Sequence, residues 1–438
     1  MTAQARARAI GGPLLDRPML WLLALFAVAE AVIVFRFIDG IGAVSNMNDG
    51  YAWGIWEPVN VVVFTGIGAG AYSVGLLCYL LNRGHYHPLV RPAVLLAAIA
   101  YSLGGASIVV ALGRPWNMYL LAAPPLWNLS SVLLEVAVCV IAYVCVLWIE
   151  MLPAVLDDAA RSPERARAAW GQRWGRRLAR AMPWIIALAM LLPTMHQSSL
   201  GGLMIVAGPK LHPLWHTSLL PLLALVSCLS MGLGAVVVLT ALMKHTWSAR
   251  LDGLLLADMS RVNGLLLVLF AVVRLADIAW SGKLGLLLVP DFHLAFFVLE
   301  LALFLIPAFL FLSRRVRQNR ARIAGALAVV AGCSLWRIDA FLTCYDAGEG
   351  WSYWPSAGEL AVTVGMAALG VAVFILVSRL LPVVELQEPV VSTSVPAAVA
   401  AFVLSGPAEA AQGQEAPRVT AGPGAAATRP AEGAGAPG

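Results

Sequence analysis

The chain alternates long apolar runs with short polar breaks. The runs lie at roughly 19–38, 58–81, 91–112, 127–152, 183–206, 215–243, 256–280, 291–312, 322–345 and 357–381. About 20 residues of helix, rising 1.5 Å each, cross the roughly 30 Å of hydrocarbon in a bilayer. No period of two marks these runs, so helices are the way their backbone is satisfied in lipid. The pattern predicts an all-α, polytopic membrane protein of about ten transmembrane helices packed as bundles. Three regions follow: an N-terminal segment at 1–18, a ten-helix domain at 19–385, and a tail at 386–438. The tail is Ala, Pro, Gly and Glu with little to bury, and is expected to be disordered. The first run follows Arg6, Arg8 and Arg17, is too long for a signal-peptide core and lacks a small-residue cleavage site, so it reads as a retained helix. The fifth run is interrupted by Pro193 and polar neighbours and is expected to be broken at depth.

Composition removes the soluble classes. Of 438 residues, 60% are hydrophobic and 12% charged, and the mean hydropathy is +0.82, against about a quarter charged in a soluble domain. Lysine and arginine number 21 in the N-terminal segment, the tail and the alternate loops at 82–91, 154–182, 244–255 and 313–322, against 3 in the opposite set. That asymmetry places both termini in the cytoplasm of a bacterial inner membrane. It also explains the net charge of +5 without a nucleic-acid partner. The outer loops carry Trp116, Trp127, Trp351, Tyr353 and Trp354, which read either as an interfacial belt in contact with lipid or as a docking surface.

Six cysteines form no CxxC or CxxCH spacing, which argues against an iron–sulfur cluster, a structural zinc or a c-type haem in this chain, and no metal site is expected.

Ionisable groups inside apolar runs are costly and point to function. Glu135 falls about eight residues into the fourth run, about 12 Å deep, behind a polar stripe of Asn128, Ser130 and Ser131. Glu300 sits at a similar depth in the eighth run. Arg274 and Asp277 are three apart on the seventh and share a face, which reads equally as a structural ion pair or as part of a polar track. Arg337 and Asp339 lie in the outer third of the ninth run, His196 and Gln197 in the outer half of the fifth, and His216 opens the sixth. Nearly all of these groups fall in the outer half of the bilayer. Donors for two oxygens, a proton acceptor and an apolar slot are what a lipid-soluble quinone requires. A b-type haem is the rival, with His196, His216 and His293 as the histidines to be paired. A secondary transporter is a third reading, because an interrupted helix and buried charges also suit alternating access.

Several blocks then resemble one family. Trp53-Gly54-Ile55-Trp56 resembles the start of the second helix in the NrfD/polysulfide-reductase family of quinone-reactive membrane subunits. The loop Asn82 to Pro92, Tyr101 to Gly105, Gly113 to Asn117, Ser131 to Glu135, Leu192 to Ser199, His212 to Trp215, Trp336-Arg337 and Tyr353 to Glu359 follow in the same order. The likeness spans about 15–385 and is nearest to the membrane subunits of Hyb-type nickel–iron hydrogenases.

The resemblance implies a subunit with no haem and no iron–sulfur cluster of its own. It implies a quinone (menaquinone or ubiquinone) near the outer face, reduced by electrons from a periplasmic ferredoxin-like iron–sulfur subunit. The remaining partners would be the small and large nickel–iron hydrogenase subunits. On this reading Glu135 handles protons, His196 and Gln197 act on a quinone oxygen, and Arg114, Trp116, Asn117, Asn128 and Ser198 line the site. Glu57, Arg274, Asp277, Glu300 and Asp339 supply proton transfer. Quinol oxidation for a sulfur, nitrite or sulfite complex is the alternative within the family. The sequence departs from those relatives at Asn60, where they carry an aspartate, with Glu57 one turn earlier. It departs again at Asp277, where they carry a glutamate.

Overall fold

The computed structural model describes residues 7–249 and 253–385, so the tail at 386–438 lies outside the described residues. Ten helices are long and apolar enough to cross a bilayer. They are α1 (Arg17–Asp39), α2 (Glu57–Leu80), α3 (Val90–Ala111), α4 (Val132–Ala160), α5 (Arg165–Val206), α6 (Leu220–Trp247), α7 (Gly253–Trp280), α8 (Phe292–Leu312), α9 (Asn319–Thr343) and α10 (Ala357–Leu380). The described structure is helical throughout, without named strands, as the apolar pattern requires.

Local chemistry sets several starts. Asp16 caps α1 through Met19 N at 3.0 Å, with Pro18 in the first turn. Asp291 caps α8 through Leu294 N at 2.8 Å. Ser356 and Glu359 make a reciprocal capping box on α10.

The fourth helix starts at Val132 rather than 127, because Ser131 caps it and Pro124 and Pro125 hold the preceding chain in turns. The fifth is not broken: α5 runs 42 residues through Pro183 and Pro193. Thr194 Oγ1 donates to Met190 O at 2.8 Å, so a side chain helps satisfy the backbone around the proline. The basic stretch before residue 183, read as loop because it is polar, is the first part of this helix and packs against the end of α4, where Arg167 pairs with Asp158 at 2.7 Å. The sixth helix starts at Leu220, which leaves Trp215 and His216 in the preceding loop.

Helical irregularity lies instead in α2 and α9. Glu57–Val63, Leu76–Leu80 and Asp339–Thr343 are π-helical turns, a form that recurs at functional sites. The first and last of these approach each other, with Trp53 Nε1 donating to Phe341 O at 3.1 Å.

The helices pack as two four-membered rings, α2–α5 and α6–α9, joined where α6 meets α2 and α5. Gly232 makes that junction possible. A Cβ there would lie 2.5 Å from the Ala69 carbonyl carbon, so only a residue without a side chain lets the backbones meet. The α1–α10 pair flanks the first ring through α3. Toward the lysine- and arginine-rich end of the molecule, α10 stands away from α6 and α9. It leaves a cleft of about 490 Å³ walled by apolar side chains such as Phe64, Leu96, Leu103, Leu239 and Phe374. The opposite, charge-poor end holds almost every polar side chain that the sequence had singled out.

Candidate functional site

The centre of the α2–α5 ring is polar and closed. His196 and Gln197 are 0% exposed, because the middle of α5 faces α2, α4 and α6 together. Gln197 Nε2 donates to Thr65 Oγ1 and to Tyr101 Oη, each at 3.3 Å. Thr65 in turn donates to Val61 O at 2.7 Å. The Tyr101 ring stands edge-on to His196 with centroids 5.5 Å apart. From α9, Arg337 reaches electrostatic range of both, yet its Nη2 bonds only neutral oxygens, Ala224 O and Ser227 Oγ at 3.2 Å. Gly66 makes room for it, since a Cβ there would come within 3.3 Å of Arg337 Nε.

This cluster is unsatisfied. Both His196 nitrogens, both side-chain polar atoms of Asn60, Gln197 Oε1 and Arg337 Nε lack hydrogen-bond partners. Each orphaned buried polar atom costs about 1–3 kcal/mol, and such groups persist in native proteins mainly where function requires them. A void of about 10 Å³, close to the space of one water, adjoins Arg337 between Leu200, Gly201 and Phe341.

Glu135 is not buried. It lies in the first turn of α4, exposed at the charge-poor rim, and accepts from Ser199 Oγ at 2.7 Å. Its expected depth of about 12 Å rested on a helix starting at 127, which the Ser131 cap rules out. Ser199 is three residues beyond His196 on one face of α5, so Glu135, Ser199 and His196 lead from rim to core. The polar line continues inward. Tyr143 stacks edge-on against Tyr101 at 4.6 Å. Tyr143, Tyr72 and Glu150 share a void of about 20 Å³, and Tyr72 Oη bonds Thr194 Oγ1 at 2.6 Å.

The other predicted lining residues stay at the surface. Arg114, Trp116 and Asn117 lie on or beside the exposed turn Pro115–Ala122, with Trp116 69% exposed. Asn128 Oδ1 accepts from Ser130 N at 3.1 Å, and Ser198 Oγ donates to Met195 O at 2.9 Å. No hydrogen bond joins these five to the buried cluster among the described residues.

A second cluster occupies the α6–α9 ring. Glu300, 0% exposed, accepts from Trp215 Nε1 at 2.9 Å and pairs with Arg274 Nη1 at 2.5 Å. The Arg274 guanidinium also lies 4.7 Å over the Phe297 ring and 5.4 Å over Trp215. Asp339 is buried with its carboxyl beside that of Glu300 and the Thr343 side chain. Arg274 therefore pairs with Glu300 on α8 and not with Asp277, which is half-exposed three residues further along α7. Glu57 Oε2 accepts from Gly54 N at 2.7 Å at the start of α2.

Tyr101, Thr65, Tyr143, Tyr72 and Glu150 were missed as site residues. An aromatic or hydroxyl residue in an apolar run reads as core, and only the crossing of helices shows that these converge. Arg337 was visible as a charge in a span, but not its neighbours.

The comparisons with known proteins follow this geometry. The family profile described as "Polysulphide reductase, NrfD" matches residues 43–343. The chain is similar to the "Probable Ni/Fe-hydrogenase 2 b-type cytochrome subunit" of Escherichia coli (strain K12), 35% identical over 85% of this chain and 94% of that protein. It is also similar to the "Menaquinone reductase, integral membrane subunit" of Nitratidesulfovibrio vulgaris, 25% identical over 84% of this chain and 92% of that protein.

The first relative's name implies a b-type haem, which needs axial ligands facing each other across the iron. Of the seven histidines only His196 is fully buried, and its ring packs against Tyr101 rather than toward a second histidine. These residues do not fit a bis-histidine haem.

Proposed function

The chain belongs to the NrfD polysulphide reductase family, and from that membership we propose that it is the quinone-reactive membrane subunit of a respiratory hydrogenase complex. Its charge-poor face is the periplasmic face of a bacterial inner membrane, and both termini are cytoplasmic. A ferredoxin-like iron–sulfur subunit, carried with the small and large nickel–iron subunits, docks there and delivers electrons. Menaquinone or ubiquinone is the acceptor substrate. The observation that carries the reading is the closed, unsatisfied polar cluster of His196, Gln197, Asn60 and Arg337 directly behind the rim carboxylate Glu135.

Reduction of a quinone takes two electrons and two protons, and each oxygen ends as a hydroxyl. Glu135, at the rim and open to a lipid-borne ring, passes a proton to a quinone oxygen. Ser199 orients that carboxylate through its 2.7 Å bond. His196, with no route of contact to a ring in this packing, passes protons behind Glu135, and Gln197 positions the Thr65 and Tyr101 hydroxyls beside it. Arg337 favours negative charge on the rim side, because in a low-dielectric interior an uncompensated cation acts strongly. Glu150, Tyr143 and Tyr101 extend the line toward the cytoplasmic end, with a void near the size of one water between Tyr72, Tyr143 and Glu150. Protons drawn along it make quinone reduction electrogenic. Glu57, Glu300, Arg274 and Asp339 form a separate acidic region under the docking face, and Arg114, Trp116, Asn117, Asn128 and Ser198 edge the approach.

The test is affinity purification in mild detergent, with identification of co-purifying proteins, an optical spectrum and a quinone extract. Hydrogenase and ferredoxin-like subunits with bound quinone are expected. A chain that purifies alone without quinone, or with a stoichiometric b-haem band, overturns the reading.

A further inference from the structure

Three metal-ligating side chains meet at the charge-poor end of the α6–α9 ring, on elements that the electron-transfer reading leaves unused. His212 lies in the loop before α6, Asp291 caps α8, and His293 sits in the first turn of α8. One donor atom from each lies within 4.8 Å of the others. The two imidazoles stack 4.1 Å apart and 5° from parallel.

Each ligand is held in place by its own backbone or cap. His212 N donates to Cys344 O at 2.9 Å, which fixes the loop against the end of α9. Asp291 Oδ1 is spent on capping Leu294 N, which leaves Oδ2, 3.3 Å from His293 Nδ1, to face the histidines. Two imidazoles and one carboxylate match the donor set of a three-ligand zinc site with a free fourth position. Bonds of about 2.0–2.1 Å in tetrahedral geometry need donors about 3.4 Å apart, so side-chain rotation of about an ångström closes the group.

We propose that His212, Asp291 and His293 form a binding site for a divalent transition-metal ion of the zinc class. The ion ties the loop before α6 to the start of α8. It also sits at the outer end of the second cluster, because His212 stacks edge-on to Trp215 at 5.8 Å and Trp215 bonds Glu300. The sequence had assigned no metal to this chain on its cysteine spacings, and His212 lies 79 and 81 residues before Asp291 and His293.

The experiment uses the full-length chain, purified in detergent with a tag that contains no histidine and stripped with a chelator. Zinc is titrated calorimetrically, and metal content is measured after desalting. One equivalent retained, with a raised thermal midpoint, is expected. Asp291→Asn keeps the helix cap, and His293→Gln changes a partly exposed side chain, so both fold, which helicity by circular dichroism checks. Each is expected to weaken zinc binding by at least about tenfold, the loss seen when even an outer partner of a metal site is removed. His85→Gln, at the opposite end, is expected to bind as the wild type does. Absence of zinc binding by the unaltered chain, or wild-type affinity in both ligand variants, overturns the proposal.

Discussion

The two rings of this protein bury polar groups in opposite ways. In α6–α9, Glu300 is met by a guanidinium and an indole N–H, and its partner Arg274 lies against two aromatic faces. In α2–α5 and the facing turn of α9, His196 and Asn60 have no partners, and Arg337 has only neutral ones. The first arrangement is what a structural ion pair looks like. The second costs free energy in the resting fold and is kept for something that arrives, whether a proton, a water or a charge on a substrate. The difference teaches that depth and charge alone do not separate stability from chemistry. Satisfaction does.

The comparison can be broken most sharply at Glu300. Glu300→Ala strands Arg274, and is expected to cost about 3–5 kcal/mol, seen as a lost or greatly lowered thermal transition in detergent. Replacing both partners by Met and Leu should recover most of that loss. Stability unchanged in Glu300→Ala would remove the structural reading of the second ring. Next comes Glu135→Gln. Loss of a general acid lowers rates by about 10²–10⁴, so quinone reduction should fall at least about a hundredfold, while the exposed position leaves stability within about 0.5 kcal/mol.

His196→Leu follows, with a reduction rate lower by about tenfold or more. Its thermal midpoint should be equal or higher, because a buried donor and acceptor without partners are removed. A large drop in stability with activity retained would show that the cluster is structural after all. The smallest effect is at Asp16, whose carboxylate is held low by the Met19 N–H and by Arg379. A lowered carboxylate stabilises above its unfolded value and loses that contribution as pH falls through the folded one. Asp16→Asn should thus differ slightly from wild type at pH 7, and the difference should shrink as pH falls below the ordinary aspartate range, by thermal melts along the series.

Much of the fold was legible because crossing a bilayer imposes one length and one polarity. All ten helices follow from the apolar runs. What failed depended on neighbours rather than on composition. Pro193 reads as a break, but the helix continues, with Thr194 bonding a backbone carbonyl of the preceding turn. Residues before 183 read as loop, but the neighbouring end of α4 lets a basic segment stay helical. At the site, charges in apolar runs identified Glu300, Arg274 and Arg337 as important. The sequence left Arg274 and Asp277 as either an ion pair or part of a polar track, and could not see Glu300 across the helix gap. Glu135 was placed too deep, because the cap at Ser131 rather than hydrophobicity starts its helix. Tyr101 and Tyr143 were hidden, since a tyrosine in an apolar run looks like packing until its hydroxyl or ring meets a polar neighbour.

The central claim is that Glu135 serves the unsatisfied cluster as its proton-handling rim. The most direct measurement is the rate of quinol formation by the purified complex, wild type against Glu135→Gln and Glu135→Asp, with bound partner subunits quantified in each. The account predicts a fall of about a hundredfold in the glutamine variant, partial activity in the aspartate variant and full partner content in both. Wild-type quinol formation by Glu135→Gln would contradict it.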